Sequence, residues 1–247
     1  MKVSIITVCY NSEKTIEDTL KSIQSQTYPD IEYIVIDGLS KDRTNEIVTK
    51  YNDIVSIHLS EPDNGLYDGM NKGIELSTGD IIGVLNSDDI FADQYVVQKL
   101  VDTIEDNDGV YGDVGFYTGH NFLDKKRHYS SSGFTNTKFS RGMMPAHPSF
   151  YVRKDCYDKA GLYRTDFKIA SDFDMLLRIF SLPNTSFIYL KEEIVKMRLG
   201  GVSTSGFMSN FILNKEILES CKSNGTKSNW FLLLSKYPGK IIGYIFK

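Results

Sequence analysis

Three short segments of this 247-residue chain concentrate side chains that could carry chemistry. Asn86-Ser87-Asp88-Asp89 stands directly behind the apolar run Ile81 to Leu85. Residues 61–73, Glu-Pro-Asp-Asn-Gly-Leu-Tyr-Asp-Gly-Met-Asn-Lys-Gly, crowd Asp63, Asp68, Asn71 and Lys72 into a glycine-rich turn and the helix start after it. Ile169-Ala-Ser-Asp-Phe-Asp-Met-Leu-Leu-Arg178 carries Asp172 and Asp174. Carboxylates grouped in this way repel phosphate unless a cation stands between them. Neither G-x-x-x-x-G-K-[ST] nor a G-x-G-x-x-G after the first apolar run occurs, so the glycine cradles for phosphate are missing. The remaining route to a diphosphate is a hard cation on oxygen ligands, Mg²⁺ or Mn²⁺, with Asp88-Asp89 well placed for it.

Each segment also has a purely structural reading. Asp88-Asp89 suits a solvated turn, and Asp63-Asn64-Gly65 is good turn sequence. Asp68 and Lys72 stand at the spacing of an i,i+4 ion pair. Ser171 and Asp174 fit a capping box, which leaves Asp172, at a helix start, free to act as a general base. His147 precedes Pro148 and a strand, a position where packing or hydrogen bonding competes with a ligand role. Lys125 to His128 read as a solvated basic face, with an acidic or phosphate-bearing ligand as the sharper alternative.

These segments depend on elements that alternate along the chain. Val3 to Val8 has the continuous β-branched character of a buried parallel strand. Asn11 and Ser12 are expected to cap a helix bearing Ile16, Leu20 and Ile23, and Ser40 a second one bearing Ile47 and Val48. Tyr33 to Ile36, Val55 to Leu59, Ile81 to Leu85 and Val110 to Val114 supply further strands. The pattern predicts an α/β fold, a doubly wound, mostly parallel sheet flanked by helices. Beyond Gly115, residues 116–145 read as an irregular hairpin. Then come a strand near Ser149 to Val152, a helix from Ser171, and strands near Phe187 to Leu190 and Ile194 to Leu199. Ligands of such a sheet bind beyond the carboxyl ends of its strands. Those ends are Cys9-Tyr10-Asn11, Asp37-Gly38, Glu61 to Asn64, and Asn86 to Asp89.

The net charge of −4 argues against a nucleic-acid partner. Three scattered cysteines make neither a disulfide framework nor a zinc site, which suits a reducing, cytoplasmic setting. No run of about 18 apolar residues occurs, so no membrane-spanning helix is expected. One domain is expected over residues 1–221, with a nucleotide-binding half to about 115 and an acceptor-side half after it. Residues 222–247 form a tail with five Lys and no Asp or Glu, with Trp230 to Leu234 and Ile241 to Phe246 interleaved. That composition suits either docking on the core or contact with an anionic membrane surface.

Five blocks together resemble the family 2 inverting glycosyltransferases of the A-type fold. They are Val3 to Asn11, Tyr33 to Thr44, Ser60 to Gly73, Gly79 to Asp89 and Ala170 to Arg178. The resemblance implies a nucleotide-sugar donor, most often a UDP-sugar. It implies a saccharide or lipid-linked saccharide acceptor in bacterial surface-polysaccharide assembly, with the enzyme peripheral on the cytoplasmic membrane face. It puts Thr7, Tyr10, Asn11, Asp37 and Asp63 around base and ribose, and Asp88 near the ribose or donor sugar. It assigns Asp89 to the metal, sets Asn71 and Lys72 beside the donor pocket, and makes Asp172 the catalytic base. Arg198 to Ser203 resembles a late loop over the diphosphate, with Arg198 supplying charge where some members use a histidine. Two rival readings remain: a sugar-1-phosphate nucleotidyltransferase, whose glycine-rich basic N-terminal signature is missing, and a degenerate sugar-nucleotide-binding partner subunit. The second is kept open because Asn86 replaces the first Asp of the family's usual Asp-x-Asp.

Overall fold

Val3–Cys9 (β1) is buried along its whole length and sits inside a sheet. It pairs in parallel with Ile31–Asp37 (β2) on one side and Ile81–Val84 (β4) on the other, and β2 pairs in parallel with Val55–Ser60 (β3). A computed structural model describes residues 1–119, 121–199 and 207–235 of the chain. Beyond β4 the sheet turns antiparallel through Phe150–Arg153 (β8), which joins Gly109–Thr118 (β6). Phe187–Arg198 (β9) runs parallel to β6, and the short Ile90–Phe91 (β5) closes that edge. The order is β3-β2-β1-β4-β8-β6-β9-β5, with Asp124–Tyr129 (β7) forming a hairpin on β6.

Alternation along β1 divides the core into two layers. Ile6 and Val8 face one layer with Met70, Phe173 and Leu176, and Val3 and Ile5 face another with Ile16, Leu20 and Val48. The first layer is closed by Leu66–Leu76 (α3), Ser171–Phe180 (α6) and Phe207–Ser223 (α7), and the second by Ile16–Gln24 (α1), Thr44–Thr49 (α2) and Val96–Ile104 (α4). Helix α3 lies unusually near β1. A Cβ at Gly69 would come within 2.5 Å of Val8, and one at Gly73 within 2.4 Å of Ile6. The two glycines, four apart, let the helix seat its start against the strand end.

Several local expectations are corrected. Thr15 is the N-cap of α1 and has no side-chain cap; the Ser12 carbonyl accepts from Thr15 and Ile16 instead. Ser40 caps nothing, since α2 starts at Thr44, and it turns to Asp37. The N-cap of α6 is Ala170, so no capping box forms; Asp174 is drawn to Arg178 and Ser220 instead. The two expected late strands are one, β9, whose pairing with β6 shifts register on both sides of Asp113 rather than breaking.

Lys154–Ala160 (α5) follows β8, and Trp230–Leu234 (α8) packs on the core with Leu233 fully buried. The boundary expected between residues 221 and 222 falls inside α7. Residues 236–247 of the tail lie outside the described residues.

One buried carboxylate ties the sheet's lower edge. Glu32, at the start of β2, accepts from Lys2 Nζ (2.7 Å), Ser4 Oγ (2.6 Å) and both the amide and hydroxyl of Thr78 (2.7 and 2.6 Å). Burial alone would raise its pKa, but these donors hold it down at about 2. The depressed value means its stabilisation is present above the ordinary carboxylate range and lost as pH falls through about 2. Glu32→Gln is expected to cost about 2 kcal/mol at neutral pH. In denaturant titrations the gap to wild type should close as pH falls from about 4.5 towards 2; a gap independent of pH would contradict the assignment.

Candidate active site

Strands β2 and β3 lie to one side of β1 and β4 to the other, so the order reverses between β1 and β4 and a crevice opens at their carboxyl ends. Ser12 Oγ and Ser87 Oγ meet across it at 3.1 Å. The loop after β1 is laced to the loop after β2: Asn11 donates from its amide to Ser40 Oγ (2.8 Å) and accepts from the Lys41 amide (2.9 Å). Asn11 has φ of 49°, a left-handed conformation that asparagine tolerates. Tyr10 beside it is exposed.

The acidic rim divides into carboxylates the protein has already satisfied and those with capacity left. Asp37, fully buried, accepts from the Ser40 amide (3.0 Å) and hydroxyl, Asn45 Nδ2 (2.8 Å) and Ser60 Oγ (2.6 Å). Burial would raise its pKa, and these bonds bring it below the usual range. Asp89 is also buried; Oδ2 accepts from Asn86 (2.9 Å) and Oδ1 from the Arg198 amide (3.1 Å). Burial, and then the charge of Asp88, push its carboxyl upward. Asp88 receives no bond from any other described residue and is only partly buried. Asp63 accepts from the Gly65 amide (2.9 Å) and lies over Gly38, where a Cβ would stand 2.7 Å from its Oδ2.

Asp89, expected to ligate the metal, thus carries one protein hydrogen bond on each oxygen, whereas Asp88 beside it accepts none from another described residue. Among the described residues no three His, Cys, Asp or Glu side chains gather as a cation cage. One open carboxylate nevertheless fits Mg²⁺ or Mn²⁺, which bind through one or two carboxylates and complete their shell with substrate phosphates.

Several other expected site residues have partners within the protein. Thr7 is buried, donating to the Leu85 carbonyl (2.7 Å) and accepting from Tyr33 (3.1 Å). Asn71 clamps the Tyr163 backbone, donating to its carbonyl (2.9 Å) and accepting from its amide (2.8 Å). Lys72 pairs with Glu61 (2.7 Å) rather than Asp68, which accepts from the Asn64 amide (2.9 Å). His147 is buried against the Tyr163 hydroxyl (2.7 Å), and burial lowers its pKa to about 4, so it stays neutral and packs. Asp174 pairs with Arg178 (2.8 Å) and accepts from Ser220 (2.8 Å). The basic run on β7 is partly neutralised: His128 sits between Asp113 (3.0 Å) and Glu193 (3.2 Å).

Arg198 reaches Asp18 (2.8 Å) and stacks over Phe122 (4.4 Å), and its buried Nε has no partner among the described residues. Ser203 lies outside the described residues.

Asp172 stands apart from the rim carboxylates in chemistry. It keeps a partly open surface, yet its carboxyl group lies deep enough that burial pushes its pKa up to about 6, against the bonds it accepts from the Phe173 amide (2.7 Å) and from its own amide. Tyr67, missed in the sequence although it lies within the segment 61–73, donates to the Ile169 carbonyl (2.6 Å) and stacks on Tyr163 at 5.9 Å. It thereby links the helix that follows Asp63 to the loop that leads into α6 just before Asp172. Two open clefts, of about 440 Å³ beside Lys21 and Phe91 and about 400 Å³ beside Tyr157, are lined in part by Asp18 and Asp93 and by Glu75 and Asp158 respectively.

An α/β sheet that switches order at an acidic crevice offers a ligand site at its strand ends, with a separate half-buried carboxylate beyond it. The family model described as Glycosyl transferase family 2 matches residues 4–165, and the chain belongs to this family of glycosyltransferases. It is 34% identical over 179 residues to an uncharacterized glycosyltransferase of Mycobacterium tuberculosis, covering 71% of this chain and 68% of that one. Its fold is that of A-type glycosyltransferases. The S. aureus TarS 1-349 structure in complex with UDP-GlcNAc superposes with TM-score 0.70 at 19% identity, covering 89% of this chain and 66% of that one. The mannosyltransferase PcManGT from Pyrobaculum calidifontis, in complex with GDP-Man and Mn²⁺, gives TM-score 0.66 at 17% identity, with 92% and 66% covered. The chain spans only 39% of the longer TarS structure.

A carboxyl with a raised folded-state pKa contributes stability below its unfolded pKa and loses it as pH rises through the folded value. Asp172→Asn is therefore expected to stabilise the protein at pH 8, by about 2 kcal/mol, and to leave it nearly unchanged at pH 4. Equal stability of the two proteins at pH 8 would mean that Asp172 ionises as an ordinary surface carboxylate.

Proposed function

We propose that this chain transfers a sugar, with inversion, from a UDP-sugar to a hydroxyl of a saccharide or lipid-linked saccharide acceptor in surface-polysaccharide assembly at the cytoplasmic membrane face. The observation that carries the reading is Asp172, a half-buried carboxyl whose pKa burial raises to about 6 and whose only hydrogen-bond donors among the described residues are the backbone amides at the start of its own helix. Above that pH it is a carboxylate able to take the proton of an acceptor hydroxyl as the hydroxyl oxygen bonds to the anomeric carbon and the bond to the diphosphate breaks. General base catalysis of this kind contributes roughly 10²–10⁴-fold. A single displacement inverts the anomeric centre, so an α-linked donor gives a β-glycoside. Tyr10, Asn11 and Asp63 border the place for the nucleoside, with Asp37 holding the loops beneath it. Asp88 would hold a divalent cation, which when bound neutralises charge on the departing diphosphate. Arg198 adds a positive charge nearby.

The UDP-GlcNAc bound to TarS supports a UDP-sugar donor. The GDP-Man and Mn²⁺ bound to PcManGT support a divalent cation and make GDP-mannose the alternative donor to be excluded. Family membership removes the ground for the nucleotidyltransferase reading, and turnover itself would dismiss a degenerate subunit.

Membrane contact would run through the last helices. Met208, Phe211, Phe231 and Leu234 are exposed, and Trp230 stacks on Phe211 at 5.7 Å. No helix among the described residues is long and apolar enough to cross a membrane. With the lysines of the tail, this patch suits an anionic lipid surface. Wild type should co-sediment with phosphatidylglycerol vesicles and Phe231→Glu should not; equal sedimentation of both would discard the patch.

A panel of UDP-glucose, UDP-galactose, their N-acetylamino forms and GDP-mannose, screened by donor hydrolysis, should select one UDP-sugar. Asp172→Asn should then lose transfer by at least about 10²-fold while binding that donor as wild type does. Equal losses of binding and turnover would count against the role of base.

A further inference from the structure

Helix α7 lies beyond residue 165, where the family match ends, yet it grips the loop that leads into α6 just before Asp172. Glu216, 8% exposed, accepts hydrogen bonds from three successive backbone amides: Lys168 (2.8 Å, to Oε1), Ile169 and Ala170 (2.9 Å each, to Oε2). Three consecutive N–H groups converging on one carboxylate form an anion nest, here filled from within the chain. Ile169 is held from its other side as well, because its carbonyl accepts from Tyr67. Four residues on, Ser220 donates to Asp174 (2.8 Å), and Asn224 adds a second bond to the same oxygen (3.1 Å). Residues 216, 220 and 224 thus form one stripe that holds the start of α6 both before and after Asp172.

We propose that Glu216 is a positioning residue for the transfer reaction, fixing Asp172 through the backbone of residues 168–170. The inference rests on the reading of Asp172 as the base. Packing alone would not require a charged group at this place: an apolar side chain could fill the volume but would leave three amides without acceptors. A glutamine would present an NH₂ group to an amide that needs an acceptor, so the loop could not keep all three bonds. The titratable groups that act on Asp172 are Glu216, whose charge adds to its raised pKa, and the neighbouring Tyr67, Tyr129 and Tyr163. The tyrosines stay neutral over the working range of pH.

The test uses the full chain, UDP as binding probe, and the nucleotide sugar turned over fastest in the donor screen. Glu216→Gln should bind UDP as wild type does and keep the donor KM within roughly twofold, while kcat falls by about tenfold or more. The acid limb of its kcat profile should move to lower pH, because the negative charge facing Asp172 is gone. Glu216→Asp, which keeps the charge, should recover part of kcat and leave the limb near its wild-type position. Wild-type kcat and pH profile in a folded Glu216→Gln would overturn the proposal. So would losses in both variants that match only a lower folded fraction. Should Glu216→Gln not fold, Glu216→Asp decides alone: reduced kcat at unchanged KM supports the role, and unchanged kcat ends it. An Asp172→Asn protein that retains transfer would instead refute the base assignment, whatever Glu216 does.

Discussion

Buried carboxylates are tolerated only where donors surround them, and this constraint organises the molecule. Asp37 collects Ser40, Asn45 and Ser60; Glu32 collects Lys2, Ser4 and Thr78; Asp89 collects Asn86 and the Arg198 amide; Glu216 collects three amides. Each of these ties two or more segments distant in sequence. Against that background Asp88 and Asp63 on the rim, and Asp172 beyond it, are held by few bonds and keep capacity for another partner. The site is defined less by where acids lie than by which acids the protein has not already used.

The same logic joins fold to function. Parallel β1, β2 and β4 bring their carboxyl ends to one crevice, and α3 follows directly, pressed on β1 through Gly69 and Gly73. From α3, Tyr67 reaches the loop of Asp172, and from the other side α7 holds that loop through Glu216. The parallel half of the sheet, the start of α6 with Asp172 and the C-terminal helices are therefore one mechanical unit. A raised carboxyl pKa in such a clasped loop costs stability at neutral pH, as catalytic sites commonly do.

Much of this was legible in the sequence. Continuous β-branched runs and alternating helices gave the parallel half, and the polar clusters behind the strands located the crevice, because strand ends in such sheets are where ligands bind. Periodicity could not distinguish acids with partners from acids without: Asp88 and Asp89 are adjacent and identical in type, yet Asn86 and the Arg198 amide engage Asp89 alone. Asn71 and Thr7 looked like pocket residues but turn inward to Tyr163 and Leu85. Strand β5 has two residues, too few for any pattern, and exists because β9 offers it a partner. Glu216 gave no signal at all, since its partners are backbone amides 46 to 48 residues away.

The central claim is that the crevice accepts a diphosphate only with a cation beside Asp88. Titration calorimetry of UDP into the purified chain measures it most directly, once with excess Mn²⁺ and once with chelator. The account predicts binding in the first case, little or none in the second, and loss of that difference in Asp88→Asn. Equally tight binding of UDP in the presence of chelator would contradict it.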